Sequence, residues 1–566
     1  MSMITTTAWV PRGFAAPFPT KSKFDEAEFQ RIANLAKLKL EGAKEDLEEA
    51  EAAEAAEGDR MEDDAEESAK ENGAGAGVDG GAGSKKKKEK KTKTAEEIAI
   101  DEELKEYDFE HYDDSDEDGE GQPLAMFGNI KSLAYYESND DDPYITLKDD
   151  PEMEEEREDL QILATDNLLL AAKVEDELAH LEVYVYEDEA DNMYVHHDIM
   201  LPAIPLCLEW LDIPVNKEGV DKNGVGNFVA IGTMDPDIEI WDLDTIDCMY
   251  PNAILGAGGD VEAEGKKKKK KKKSKKANDE YHVDAVLSLA ANRKHRNLLA
   301  SASADKTIKL WDLHTTKCAK SYTYHTDKVC SIAWHQVEST VLLSGSYDRT
   351  AAVADMRAPG EQPLRVGVES DVETVRWDPH DPNFFYVSTE RGIIHHFDAR
   401  TIGRDPAASK TVWKLQAHDE SVSCFDLNPI IPGFMATGST DRTVKIWNIT
   451  PDNGPSLVVS RDFGVGKVFS TTFAPDKEVA FRLAVAGSKG VVTIWDTSTN
   501  AGVRKAFAHR QADLPSVEGK EEDRLVGLAE DEDEEESSDE GEDGVEGSDS
   551  SEDEEGARSG DAMDED

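Results

Sequence analysis

Histidine, serine or threonine, and aspartate recur in this 566-residue chain at fixed offsets, and these are the residue types from which hydrolases assemble a base, a nucleophile and an orienting carboxylate. His282, Ser301 and Asp305 form one group, His325, Ser344 and Asp348 a second, and His418, Thr437 and Asp441 a third. A nucleophile site is single and needs an oxyanion hole, so repetition at equal spacing points to a scaffold instead. Trp311 and Trp447 complete the first and third groups, while Ala354 stands in that place in the second. Buried polar groups at such positions have to satisfy one another, which makes each group a structural hydrogen-bonded set. The second set, without its tryptophan, is expected to be less rigidly pinned.

Other chemistry-bearing residues are sparse. FGVGKVF (463–469) offers a Gly-Lys pair, but Val468 stands where a phosphate loop needs Ser or Thr, and Arg461 where it needs its first Gly. The five cysteines are widely spaced with no C-x-x-C, so neither zinc nor structural disulfides are expected, and no cofactor is implied. Trp210, Trp334 and Trp377 read as core residues rather than a ligand cage. No catalytic set emerges, and the chain is expected not to be an enzyme.

The elements that position these residues repeat. LLASASADKTIKLWD (298–312), VLLSGSYDRTAAVAD (341–355) and FMATGSTDRTVKIWN (434–448) each read as an apolar strand, a turn with Asp and a second strand. Weaker copies lie at 228–242, 384–398 and 482–496, and an alternating strand precedes each of the six. The units end at Asp242, Asp312, Asp355, Asp398, Asn448 and Asp496, in steps of 70, 43, 43, 50 and 48 residues. That period, with its W-D endings, resembles WD40 blades. A seventh unit is read at 167–187, where Tyr186-Glu187 replaces Trp-Asp. The expected fold is therefore all-β, a seven-bladed WD40 propeller over 125–515; six or eight blades stay open, and a strand near Tyr144 to Leu147 is the expected closing strand.

Charge separates the rest from the propeller. The formal net charge is −59, and only 38% of the chain is hydrophobic against 33% charged. Residues 518–566 hold 25 acids against 3 bases, too little apolar surface to offset their ordering entropy, so an acidic tail over 516–566 is expected to be disordered. Residues 1–60 read as a docking segment and a helix from Phe24, and 61–124 as a disordered charged linker holding the basic cluster 85–93. Ser115, Ser537, Ser550 and Ser551 each precede an acid by three places, the pattern of acidophilic phosphorylation. The insertion at 256–280 carries Lys266, Lys267, Lys268, Lys269, Lys270, Lys271, Lys272, Lys273, Lys275 and Lys276, expected as an exposed loop. Nuclear import, contact with RNA phosphates, and a merely solvated loop are its three readings. No stretch approaches the length and apolarity of a membrane helix, and no secretory signal is apparent.

WVPRG (9–13), GTMDPDIEIWDLDTID (232–247) with its lysine-rich sequel, HVDAVLSLAANRKHRNLLASASADKTIKLWDL (282–313) and LLSGSYDRTAAVADMR (342–357) together resemble the periodic tryptophan protein 1 family. The resemblance implies a nucleolar assembly factor for the large (60S) ribosomal subunit, bound to pre-rRNA, ribosomal proteins and other assembly factors, monomeric within a larger particle. A histone-directed role at ribosomal DNA is the alternative. Trp9, Val10, Pro11, Arg12 and Gly13 are expected either to be a docking segment or to tuck back onto the propeller's surface.

Overall fold

The computed structural model describes residues 2–22, 157–158, 160–176, 178–217, 221, 224–256, 278–358, 360–510 and 523–527. The chain divides into two compact units, Met1–Ile32 with Leu160–Asp566, and Ala33–Asp159; of the second only Arg157 and Glu158 are described. The expected helix from Phe24, the basic cluster at 85–93, Ser115, Tyr144 to Leu147, the lysine run and the three serines of the tail lie outside the described residues. Part of the tail expected to be disordered is ordered instead: Leu525–Gly527 is a strand paired antiparallel with Val492–Asp496, so the propeller runs past residue 515, with Val526 buried against it.

Seven four-stranded antiparallel sheets make a seven-bladed β-propeller. The innermost strands are Ser2–Val10, Pro205–Leu211, Val286–Ala291, Val329–Trp334, Val372–Trp377, Cys424–Leu427 and Val468–Phe473, in blades 1 to 7. Each touches the next around the ring, and Ser2–Val10 touches both Pro205–Leu211 and Val468–Phe473, which closes it. Alternation explains the strands: one face of a blade packs on the preceding sheet and the other on the following one, so both sides are apolar near the axis. An apolar cluster fills every junction between neighbouring blades.

In every blade but the second, the turn after the second strand holds a left-handed residue. Lys306 (φ 70°), Arg349 (φ 62°) and Arg442 (φ 70°) accept it at a cost of about 1 kcal/mol each, where blades 5 and 7 use Gly392 and Gly490. At Gly392 a Cβ would stand 2.1 Å from the His418 carbonyl oxygen, so glycine is required there for space as well as for φ. We call the face bearing these turns the turn face, and the opposite one the tryptophan face.

Two expectations are corrected. The innermost strand of blade 1 is Ser2–Val10, paired antiparallel with Asn167–Glu175 from Ser2 opposite Glu175 to Val10 opposite Leu168. The closing position expected of a strand near Tyr144 is thus taken by the start of the chain. In the same way Trp9 (8% exposed) and Val10 (1%) are core residues of a blade, neither a free docking peptide nor a surface tuck. They are apolar, and the sheet offers them a complete ladder and two packed faces, which burial of large side chains rewards at about 25 cal/mol per Å².

Candidate functional site

The three recurrent sets lie where each innermost strand begins, on the turn face. In blade 3, His282 Nε2 is 2.6 Å from Ser301 Oγ, His282 Nδ1 is 3.0 Å from Asp305 Oδ2, and Trp311 Nε1 donates to Ser301 Oγ at 2.8 Å. An indole nitrogen only donates, so Ser301 gives its proton to His282 Nε2 and the imidazole gives Nδ1–H to the carboxylate. Burial pushes the His282 pKa down, against the pull of Asp305, which keeps the ring neutral. Burial pushes Asp305 up, but hydrogen bonds from His282 and Thr307 outweigh it and bring the carboxyl down to about 2. Blade 6 repeats the arrangement: His418 stands 2.8 Å from both Thr437 Oγ1 and Asp441 Oδ2, and Trp447 Nε1 donates to Thr437 at 3.0 Å.

Blade 4 brings His325 2.9 Å from both Ser344 Oγ and Asp348 Oδ2. Ser344 Oγ, which Ala354 leaves without an indole donor, is met from the connection leading into the blade, because Tyr324 places its hydroxyl 3.1 Å from it. That partner was not legible from the W-D pattern, since it comes from the residue before the histidine. The serines and threonine of these sets are buried, and each hydroxyl is hydrogen-bonded to its histidine inside its own network. Their chemistry is to pin a turn to a strand.

On the tryptophan face one position of the innermost strand repeats. Trp9, Trp334 and Trp377 donate Nε1–H to the carbonyls of Thr472, Ala290 and Ala333, each on the innermost strand of the preceding blade. Trp210 departs, bonding Asn227 Oδ1 at 2.9 Å in its own blade and stacking edge-on with Phe14 at 4.7 Å. The repetition was available in the sequence: Ala8-Trp9 stands as Ala333-Trp334 does, two residues that mark the start of the chain as a blade strand. Arg12 continues the anchorage, its Nε bonding Asn167 Oδ1 at 2.7 Å and its N–H bonding Asp476. Residues beyond Gly13 cross to blade 2, where Thr20–Lys21 pairs in parallel with Thr245–Ile246.

Around the axis, Glu209, Arg376 and Asp426 occupy equivalent places on three innermost strands. Burial raises both carboxyl pKa values against the pull of cations, chiefly Arg293 at 2.9 Å for Glu209 and Arg376 for Asp426. Among the described residues no group of three or more His, Cys, Asp or Glu could hold a metal ion. The lysine insertion leaves from Gly256 and returns at Asn278, between the outermost strand of blade 2 and the innermost of blade 3, hence from the turn face. The chain that departs after Ser22 does so from the tryptophan face.

The model of the WD domain, G-beta repeat, matches residues 276–312, 316–355 and 409–448, the three blades that carry the histidine sets. Over its length the chain is 50% identical to an uncharacterized WD repeat-containing protein of Schizosaccharomyces pombe, covering 95% of this chain and 97% of that one. It is 38% identical to periodic tryptophan protein 1 of Saccharomyces cerevisiae, covering 93% of each, and 29% identical to the Drosophila melanogaster homolog over 90% of this chain and 96% of that one. Similarity that spans propeller and extensions alike, on seven blades closed by the chain's own start, makes this chain a member of the periodic tryptophan protein 1 family.

Proposed function

We propose that the protein is a non-enzymatic scaffold in assembly of the large ribosomal subunit, acting in the nucleus and nucleolus on pre-ribosomal particles. The observation that carries this reading is the end-to-end similarity to periodic tryptophan protein 1. A rigid ring of loops on both faces, with its histidine sets consumed in internal bonds, suits binding rather than catalysis. Ribosomal proteins and assembly factors bind the propeller, and the lysine insertion contacts pre-rRNA phosphates through salt-sensitive contacts with little sequence choice. Acidic serines in the tail and linker are its phosphorylation sites.

Blades 1 and 2 favour a second reading. Their strong acidity suits core histones, and the alternative is a chromatin-binding propeller at ribosomal DNA. Affinity purification of the tagged full chain from growing cells, with RNA and protein read from one eluate, separates the two. The assembly role expects precursor rRNA with large-subunit proteins, retained after deletion of 528–566, which spares the strand Leu525–Gly527. Core histones without precursor rRNA would overturn it and leave the chromatin role.

A further inference from the structure

The charge of the propeller is polarised. Residues 160–256, which supply blades 1 and 2 apart from the innermost strand of blade 1, contain 20 Asp and Glu against 3 Lys and Arg. Residues 278–510 contain 27 of each. The same two blades hold a disproportionate share of the exposed large apolar side chains, and four lie along the turn face: Leu178, Met200, Ile204 and Met234, from 39% to 60% exposed.

These four belong to one stretch of rim. Leu178 opens the strand Leu178–Glu187, whose neighbour Asn192–Leu201 places Met200 opposite His180. Four residues on from Met200, Ile204 accepts a hydrogen bond at its carbonyl from Met234 N–H at 2.9 Å, joining the end of blade 1 to the turn of blade 2. Glu175, Asp176 and Asp235 are exposed beside them, and the Asp237 carboxylate lies against Gly256. An apolar strip with two unbranched, adaptable methionines and a border of carboxylates is complementary to alternating apolar and cationic side chains.

We propose that this rim of blades 1 and 2 is a docking surface for a basic amphipathic segment of a partner protein. Phosphate backbones are excluded from it by charge. The chain's own lysine run is a poor match, because residues 265–279 contain no large apolar side chain to cover the methionines. The proposal concerns the chemistry of the partner segment and stands apart from the ribosomal reading, which could fail without it.

The test uses the full chain and a synthetic leucine–lysine peptide of helical periodicity with one photoreactive leucine, alongside an all-lysine peptide of equal charge. Cross-links are expected within 176–204 and 232–237. The double substitution Ile204→Ser and Met234→Ser, at exposed positions that leave the thermal midpoint unchanged, is expected to weaken the leucine–lysine peptide roughly tenfold and the all-lysine peptide little. Cross-links confined to the acidic tail or to blades 3–7, equal binding of the two peptides, or unchanged binding by the double variant would each overturn it.

Discussion

A buried polar group is worth what its neighbours make of it, and blades 3 and 4 show this with the same three residue types. Ser301→Ala would strand the Trp311 indole N–H and His282 Nε2 together, and a loss of about 2 to 4 kcal/mol is expected in denaturant unfolding. In blade 4 Tyr324→Phe removes only the hydroxyl that stands in for a tryptophan, and about 1 kcal/mol is expected. Histidines outside the sets give the propeller its acid limb. His395 (1% exposed) and His396 lie buried in blade 5, and burial brings both pKa values down to about 4, with Glu369 pulling the other way at His395 and Asp378 at His396. The unfolded chain therefore binds protons first: their stabilisation is complete above pH ~6.5 and is lost as pH falls toward about 4. Replacing His396, which stacks on Tyr386 at 4.6 Å, by Phe should flatten that decline in thermal unfolding measured from pH 7 to pH 4. Asp305, held at about 2, adds its loss only below pH ~4.

Elements were legible where they repeat and hidden where they do not. The strand pairs ending in Trp311 and Trp447 announce themselves through a polar set plus a W-D ending, and their offsets fix the blade period. Ser2–Val10 has no such partner nearby, because the strand it pairs with begins at Asn167, and no local pattern encodes a pairing across that distance. Only Trp9, at the column shared with Trp334 and Trp377, carried the information. Removing it is accordingly severe: Trp9→Ala, which deletes a large side chain and the bond to Thr472, should cost about 3 to 5 kcal/mol in denaturant unfolding. At the same junction Arg482, 3% exposed, bridges Asp188 of blade 1 and Asp496 of blade 7 at 2.7 Å each. Burial pushes Asp188 up, yet Arg482 wins and keeps its pKa below the ordinary carboxylate value. Arg482→Met leaves the two carboxylates only the more distant Arg524, 3.5 Å from Asp188 and 3.8 Å from Asp496, and a loss of about 3 kcal/mol is expected, with the blade 1 to blade 7 junction opening first in hydrogen exchange.

At the scale of the whole molecule, composition spoke of an acidic propeller, and the fold shows where that acid resides. Blades 1 and 2 carry nearly all of the imbalance, on a ring whose other five blades are neutral. Gly256 and Asn278, which flank the lysine insertion, lie on the turn face between blades 2 and 3, and Ser22 lies on the tryptophan face. Which partner meets each face could not be read from Lys266 to Lys276 or from the serines, because charge runs specify sign and not identity. The most direct measurement of the assembly role is rRNA maturation after depletion of the protein, followed by pulse labelling. Precursors of the large-subunit rRNA should accumulate while small-subunit rRNA matures, with rescue by the full chain and by a chain ending at residue 527, and none by a chain lacking residues 2–13. Maturation of large-subunit rRNA at its normal rate after depletion would mean that the propeller serves something other than ribosome assembly.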